Sequence, residues 1–231
     1  MDVSDKRFVL LVSGSPVGVD AQLLWELAEG MSFITAVDSG AQWCLNAGLI
    51  PDLLVGDLDS LSPEARLTLA AQEVEEKVYD SLKDASDLEL ALTELVQRGY
   101  TDLVATNVVG GRLDHELAAL GNLAAAGTQG LAVTLVEPTQ TLVFLNTPGA
   151  RQHLQIDFGA DIDAINAPFV SLIAWGGPAS VSLSGFQWEL DHVVLDPFSS
   201  LGVSNVPTAT NSLIELHEGA LIVAIQTPAI L

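Results

Sequence analysis

An N-terminal α/β domain on a Rossmann-like, mostly parallel sheet flanked by helices, followed by a C-terminal all-β sandwich, is the architecture predicted by this 231-residue chain. Two observations predict it. Over roughly the first 140 residues, strand-like apolar runs alternate with stretches of helical spacing, the pattern of an α/β domain. After Thr147-Pro148-Gly149 the helical spacing stops, and short alternating runs separated by Gly, Pro, Asn and Ser take over. That texture suits a sandwich or barrel of about 80 residues. The expected domains are 1–147 and 148–231.

Each element has its own signal. Phe8 to Val12 is a buried strand. Asp20 caps a helix running to Glu29, with Gly30 beyond its end. Phe33 to Val37 is the next strand and ends at Asp38. Ala41 to Ala47 is a short helix closed by Gly48, and Pro51-Asp52 turns the chain into the strand Leu53 to Val55. Ser62-Pro63-Glu64 starts a helix, with a capping serine and a proline in the first turn. Val78-Tyr79 reads as a short strand. Ser86-Asp87-Leu88-Glu89 is a capping box for a helix that ends near Gly99. Leu103 to Val109 is a strand leading into Gly110-Gly111, followed by a helix over Asp114 to Ala125 and a strand over Ala132 to Glu137. In the second domain the strand candidates are Val170 to Trp175, Val181 to Leu183, His192 to Leu195, Leu213 to Leu216 and Leu221 to Ile225.

Composition bounds the function. Hydrophobic residues make up 49% of the chain, so a packed core is expected rather than disorder. The formal net charge is −22, from 30 acidic and 8 basic residues. A broad basic surface for nucleic acid or an anionic membrane is thereby excluded, and most of the acids form a solvated surface. A nucleoside triphosphate would be repelled unless metal ions intervene. The single cysteine, Cys44, rules out an intrachain disulfide and reads as a small buried apolar residue. Lys6-Arg7 precedes an apolar run too short for a signal-peptide core, and no run reaches the length of a membrane span, so a cytoplasmic location is expected.

Acidic residues recur where parallel strands should end. Asp38 closes one apolar run and is followed by Ser39-Gly40. Leu53-Leu54-Val55 leads into Gly56-Asp57-Leu58-Asp59-Ser60. Ligands of open α/β sheets bind beyond the carboxyl ends of the strands. Extended geometry through Asp57-Leu58-Asp59 would point both carboxylates to one side. Hard oxygen donors gathered there suit magnesium, although a polar turn after a strand is the plainer reading. Asp84 and Asp87 stand just before a helix, where Asp87 also fits a capping role. Gly110-Gly111-Arg112-Leu113-Asp114-His115 joins a strand to a helix, so its backbone N–H groups can approach phosphate and Arg112 can pair with phosphate oxygens. Lys83 either contacts phosphate or pairs with Asp84. Ser13-Gly14-Ser15 is only a faint phosphate turn, and the four histidines show no metal-ligand spacing.

Taken together these motifs resemble the thiamine pyrophosphokinase family. Its members carry a DGGAN-like turn, PD followed by a strand and GDxDS, a (T/S)D helix start, GGRxDH, and SxGxSN in a β-rich C-terminal domain. Here these read Asp38-Ser39-Gly40-Ala41-Gln42, Pro51-Asp52 with Gly56 to Ser60, Ser86-Asp87, Gly110 to His115, and Ser200-Leu201-Gly202-Val203-Ser204-Asn205. The resemblance implies transfer of a pyrophosphoryl group from ATP to the hydroxyethyl oxygen of thiamine, giving thiamine diphosphate and AMP. It implies magnesium on Asp57, Asp59 and Asp87, with Asp38 and Asp84 close by. ATP would lie against Asp38, Ser39, Gly40, Gln42, Lys83, Gly110, Gly111, Arg112, Asp114 and His115. It also implies a homodimer with the active site at the subunit interface, where Ser204 and Asn205 contact thiamine. Trp188 would stack on the cationic thiazolium, or else belong to the sandwich core. Ser39 and Gln42 depart from the family's glycine and asparagine, and Ser39 adds a Cβ where a glycine suggests backbone of positive φ. Two rivals stay open: a same-fold diphosphokinase for another small alcohol such as a pterin, and a noncatalytic nucleotide- or thiamine-binding protein.

Overall fold

The computed structural model describes residues 7–80, 84–159 and 167–226. Its elements in chain order are β1 (Phe8–Val12), α1 (Ala21–Ala28), β2 (Ile34–Val37), α2 (Gly40–Asn46), β3 (Leu53–Gly56), α3 (Pro63–Ala71), β4 (Glu75–Val78), α4 (Asp87–Gln97), β5 (Asp102–Thr106), α5 (Leu113–Thr128), β6 (Ala132–Glu137), β7 (Gln140–Thr147), β8 (His153–Asp157), β9 (Phe169–Ala174), β10 (Ala179–Ser184), β11 (Leu190–Leu195) and β12 (Asn211–Gln226). They fall into two compact units, Met1–Ala126 with Leu135–Pro138, and Gly127–Thr134 with Thr139–Leu231. No described helix is long and apolar enough to cross a membrane.

The first unit holds a parallel sheet in the order β5-β1-β2-β3-β4. Strands buried on both faces must be apolar throughout, and Val9 to Val12 and Leu53 to Val55 are fully buried. Leu10, Val12, Leu24, Ala36, Ala41, Cys44, Leu54, Leu58 and Leu69 form one core cluster. Burial pushes the Cys44 thiol up to about 12, so it packs as an apolar side chain. The helix starts follow the capping chemistry: Asp20 accepts from Gln22 N–H at 2.6 Å, Ser62 Oγ from Ala65 N–H at 3.1 Å, and Ser86 Oγ from Glu89 N–H at 3.2 Å.

Two strands of this unit differ from expectation. The edge strand β4 lies at Glu75–Val78, N-terminal to the expected Val78-Tyr79. It is mostly polar and exposed, so it has no apolar run to find. Arg98 anchors it, donating to Glu75 at 2.6 and 3.0 Å and to Glu94 at 2.8 Å. The same guanidinium holds the exposed Glu75 carboxyl below its ordinary pKa. β5 ends at Thr106 rather than Val109 because Asn107 turns into the left-handed region, with φ +58°.

The second unit is β-rich, as expected of the C-terminal part. Its organising element is β12. The first half of β12 pairs antiparallel with β8 and β10, and its second half with β7 and β9; β11 adds beside β10. The two expected strands Leu213 to Leu216 and Leu221 to Ile225 are therefore one continuous strand. Gly219, at φ +94°, interrupts the apolar pattern where β12 changes partners, without ending the strand. Leu145, Val170, Val181, Ile214 and Val223 are among the residues of the core that these strands enclose. β7 pairs along its whole length with β12, so residues 139–147 group with the second unit although the domain boundary was expected near 148.

Candidate active site

In the first unit β1 has β5 on one side and β2 on the other, so the connections leave the sheet in opposite senses on either side of it. Such a switch point opens a crevice beyond the carboxyl ends of the strands. A cleft of about 700 Å³ lies there. It is lined by Ser13 to Pro16 after β1, Asp38 and Ser39 after β2, Asp57, Asp59 and Ser60 after β3, Ser86 to Leu88 at the start of α4, and Gly111, Arg112, Asp114, His115 and Glu116 after β5. Asp38, Asp57, Asp59 and Asp87, expected at separate points of the sequence, thus share one cleft.

The turns that carry them are tightly specified. Asp38, Leu58 and Asn107, following β2, β3 and β5, all have positive φ, at +48°, +62° and +58°. Left-handed non-glycine residues cost energy and cluster at functional turns. The extended path expected through Asp57-Leu58-Asp59 does not occur. β3 ends at Gly56, the left-handed Leu58 buries its side chain in the core, and Asp59 N–H donates to Asp57 Oδ1 at 3.2 Å. The turn, rather than strand alternation, sets both carboxylates. Gly56 is required because a Cβ there would collide with Asp38 Oδ1, and its φ of +152° disfavours a side chain. Ser39 has φ −62°, so its Cβ meets no left-handed backbone; its hydroxyl donates to Gly14 O at 3.2 Å. The positive φ falls on Asp38 instead.

Several expected nucleotide contacts are otherwise engaged. Gln42 donates to Asn46 Oδ1 at 3.0 Å and accepts from Ser62 Oγ at 3.3 Å, outside the cleft lining. Gly40 also stays outside that lining; a side chain there would strike the Val12 carbonyl oxygen, so it lets α2 approach β1. Asp84 is exposed and does not line the cleft, and Lys83 lies outside the described residues. The N–H groups of Gly110 and Gly111, expected to face phosphate, donate to Glu116 Oε1 at 2.8 and 2.6 Å. Arg112 makes a forked contact with Asp114, at 3.1 and 2.6 Å, which holds the Asp114 carboxyl below its ordinary range. Glu116 was missed in the sequence because it lies a turn inside the helix, where acidic residues normally face water. An anion-binding turn filled by the protein's own carboxylate is the nearest intramolecular analogue of a bound phosphate.

The expected thiamine residues Trp188, Ser204 and Asn205 all lie in the second unit. Asn205 is buried, accepts from Trp188 N–H at 3.1 Å and donates to Trp188 O at 2.7 Å, so its amide sets the backbone that carries the indole. The indole remains 56% exposed, which removes it from the sandwich core. Ser204 has φ +60°, and its N–H donates to Ser171 Oγ at 3.0 Å.

Among the described residues, no three His, Cys, Asp or Glu side chains stand close enough together to hold a metal ion by themselves. Magnesium makes no such demand. It keeps several waters and is usually held by one or two carboxylates plus substrate phosphates. The hard oxygens of Asp57, Asp59 and Asp87 around one cleft fit that donor set.

The thiamin pyrophosphokinase catalytic domain model matches residues 24–135, and the vitamin B1 binding domain model of the same enzymes matches residues 154–221. The chain belongs to the thiamine pyrophosphokinase family. The first match covers the turns bearing Asp38, Asp57, Asp59, Asp87 and Arg112, and the second covers Trp188, Ser204 and Asn205. A thiamine pyrophosphokinase of Bacillus subtilis is 25% identical over 221 residues, covering 94% of this chain and 97% of that protein. The crystal structure of thiamine pyrophosphokinase from B. subtilis superposes with a TM-score of 0.81 at 23% identity, covering 96% of this chain and 99% of the other. Thiamin pyrophosphokinase from Candida albicans shares the fold at 15% identity, with a TM-score of 0.78 and coverage of 96% and 89%. At these identities the structural likenesses establish the fold.

Proposed function

We propose that this member of the family is an ATP:thiamine diphosphotransferase, releasing AMP and thiamine diphosphate. The observation that carries the reading is the switch-point cleft, where Asp38, Asp57, Asp59 and Asp87 from three separate segments line one cavity with Arg112 and His115. Asp57, Asp59 and Asp87 hold magnesium on this reading. When bound, it supplies charge neutralisation for the triphosphate and for the group in transfer. The chain's own part is positioning and electrostatics. Arg112 leaves its surface contact with Asp114 to pair with phosphate oxygens, at little cost because both groups are exposed. The Gly110-Gly111 turn exchanges the Glu116 carboxylate for phosphate. Holding two substrates in line and stabilising the developing charge together supply nearly all of the acceleration in such reactions. Trp188 stacks on the thiazolium, on a backbone fixed by Asn205. A homodimer and a cytoplasmic location belong to the same reading.

Incubation with ATP, magnesium and single candidate alcohols tests the reaction. AMP release with thiamine is the expected result. Release only with another alcohol such as a pterin would move the substrate assignment, and binding without AMP would make the protein a noncatalytic binder. Sedimentation tests the dimer.

The thiamine site has its own readout. Thiamine is expected to quench the tryptophan fluorescence of the protein, and Trp188→Phe to abolish most of that quenching and raise the KM for thiamine about fivefold. That corresponds to ~1 kcal/mol, from exchanging indole for the weaker cation–π partner phenyl. Quenching that survives the substitution would place thiamine elsewhere.

A further inference from the structure

One buried carboxylate close to this cleft has no place in the chemistry above. Glu137, at the end of β6, is 8% exposed and does not line the cleft. It accepts three consecutive backbone N–H groups: Asn107 at 3.2 Å on one oxygen, and Val108 and Val109 at 2.7 and 3.2 Å on the other. These three residues are the whole turn between β5 and Gly110-Gly111. The network continues to the second cleft loop. Asn107 Nδ2 donates to Ser13 O at 2.7 Å, Ser15 N–H donates to Asn107 O at 3.0 Å, and Ser15 Oγ donates to Val109 O at 2.6 Å. The loops after β1 and β5, some 94 residues apart, are therefore held in mutual register by a chain of hydrogen bonds that ends on Glu137.

We infer that Glu137 is the positioning residue that sets the two loops flanking the switch point for the nucleotide's polyphosphate. The inference rests on the nucleotide reading of the cleft and adds a residue that touches neither substrate. Three adjacent amides in a turn that starts at the left-handed Asn107 cannot pair with one another, and water is denied to the buried Asn107 and restricted at the half-buried Val108 and Val109. A carboxylate can satisfy all three, because each of its oxygens accepts more than one bond. Burial raises the Glu137 pKa, and the three N–H donors offset only part of that desolvation. Without this acceptor the turn must open to find water, and Ser13 to Pro16 and Gly111-Arg112 lose their common frame. Nucleotide binding should then weaken, while thiamine, assigned to Trp188, Ser204 and Asn205, should be unaffected.

The test is a comparison of wild type, Glu137→Ala and Glu137→Gln in the full-length protein. It uses steady-state kinetics and, separately, binding of magnesium-ATP by displacement of a fluorescent nucleotide. Glu137→Ala is expected to raise the KM and Kd for ATP on the order of tenfold, with the KM for thiamine unchanged. Glu137→Gln, which keeps one acceptor oxygen for Val108 and Val109, should recover most of that loss. Folded variants with unchanged ATP affinity overturn the inference. So does a parallel decline in every parameter in step with the folded fraction, which marks a purely structural role; Glu137→Gln serves as the arm that folds if the alanine variant does not. If wild type binds magnesium-ATP but does not convert thiamine to its diphosphate, and the variants weaken that binding, the inference stands while the thiamine reading falls. If wild type binds no nucleotide, both fall.

Discussion

Asp57→Asn and Asp59→Asn are each expected to lower kcat/KM for thiamine-dependent AMP release by 10² or more, an order typical of removing one preorganised electrostatic contact from a transition state. Asparagine keeps the size and one carbonyl oxygen, so the 3.2 Å bond from Asp59 N–H to position 57 can persist and the Leu58 turn can remain. What is lost is charge. A hard dication prefers an anionic oxygen to an amide oxygen, and a chain of net charge −22 has few cations with which to compensate for a triphosphate. Raising the magnesium concentration should recover part of the activity of each single variant and little of the double variant. The measurement is initial rate against magnesium at saturating ATP, with circular dichroism as the folding control. Activity within threefold of wild type in either single variant would remove these carboxylates from the reaction.

The largest stability effect is expected in the strand beneath them. Leu54 is fully buried in β3 and belongs to the cluster containing Leu10, Val12, Leu58 and Leu69. Leu54→Ala removes three carbons from a close-packed site whose neighbours sit on strands fixed by ladder hydrogen bonds. The site can collapse only partly, and the cost should be about 3–5 kcal/mol. For a protein of this size, each kcal/mol lowers Tm by roughly 2–4 °C. A lowering on the order of 10 °C is therefore expected in the transition of the first unit, followed through Trp25 and Trp43. The second unit, followed through Trp175 and Trp188, should melt as before if the two units unfold independently. A loss below ~1 kcal/mol would contradict the core assignment. Because β3 leads into Gly56-Asp57, the same variant should lose activity below its melting range.

Particular residues show why parts of the fold were readable in advance. Asp20, Ser62 and Ser86 act within three residues of themselves, so their capping roles follow from local chemistry. Apolar runs such as Leu53 to Val55 announce strands buried on both faces. β4 announced nothing, since an exposed edge strand of Glu75, Glu76 and Lys77 gains its stability from neighbours: the ladder to β3 and the Arg98 clasp. In sequence β12 reads as two strands because its break in hydrophobicity marks a change of partners, and partners are not written in a local window.

The candidate site divides in the same way. That carboxylates would gather at strand ends was legible, because strand-end placement is a local property and open α/β sheets bind ligands at that edge. The Leu58 turn, the Glu116 contact with the Gly110-Gly111 amides, the clasp of Asn205 on Trp188 and the support of the β5 turn by Glu137 were not. Local composition and periodicity were enough for the element types, the two-part organisation and the acidic character of the cleft, because caps, apolar periods and charge act over a few residues. Which carboxylates face the cleft, which are consumed in holding its loops, and which backbone groups they satisfy were settled by folding. Those pairings join residues up to 30 positions apart, the Asn107 amide reaches Ser13 across 94, and a hydrogen bond depends on distance in space rather than along the chain.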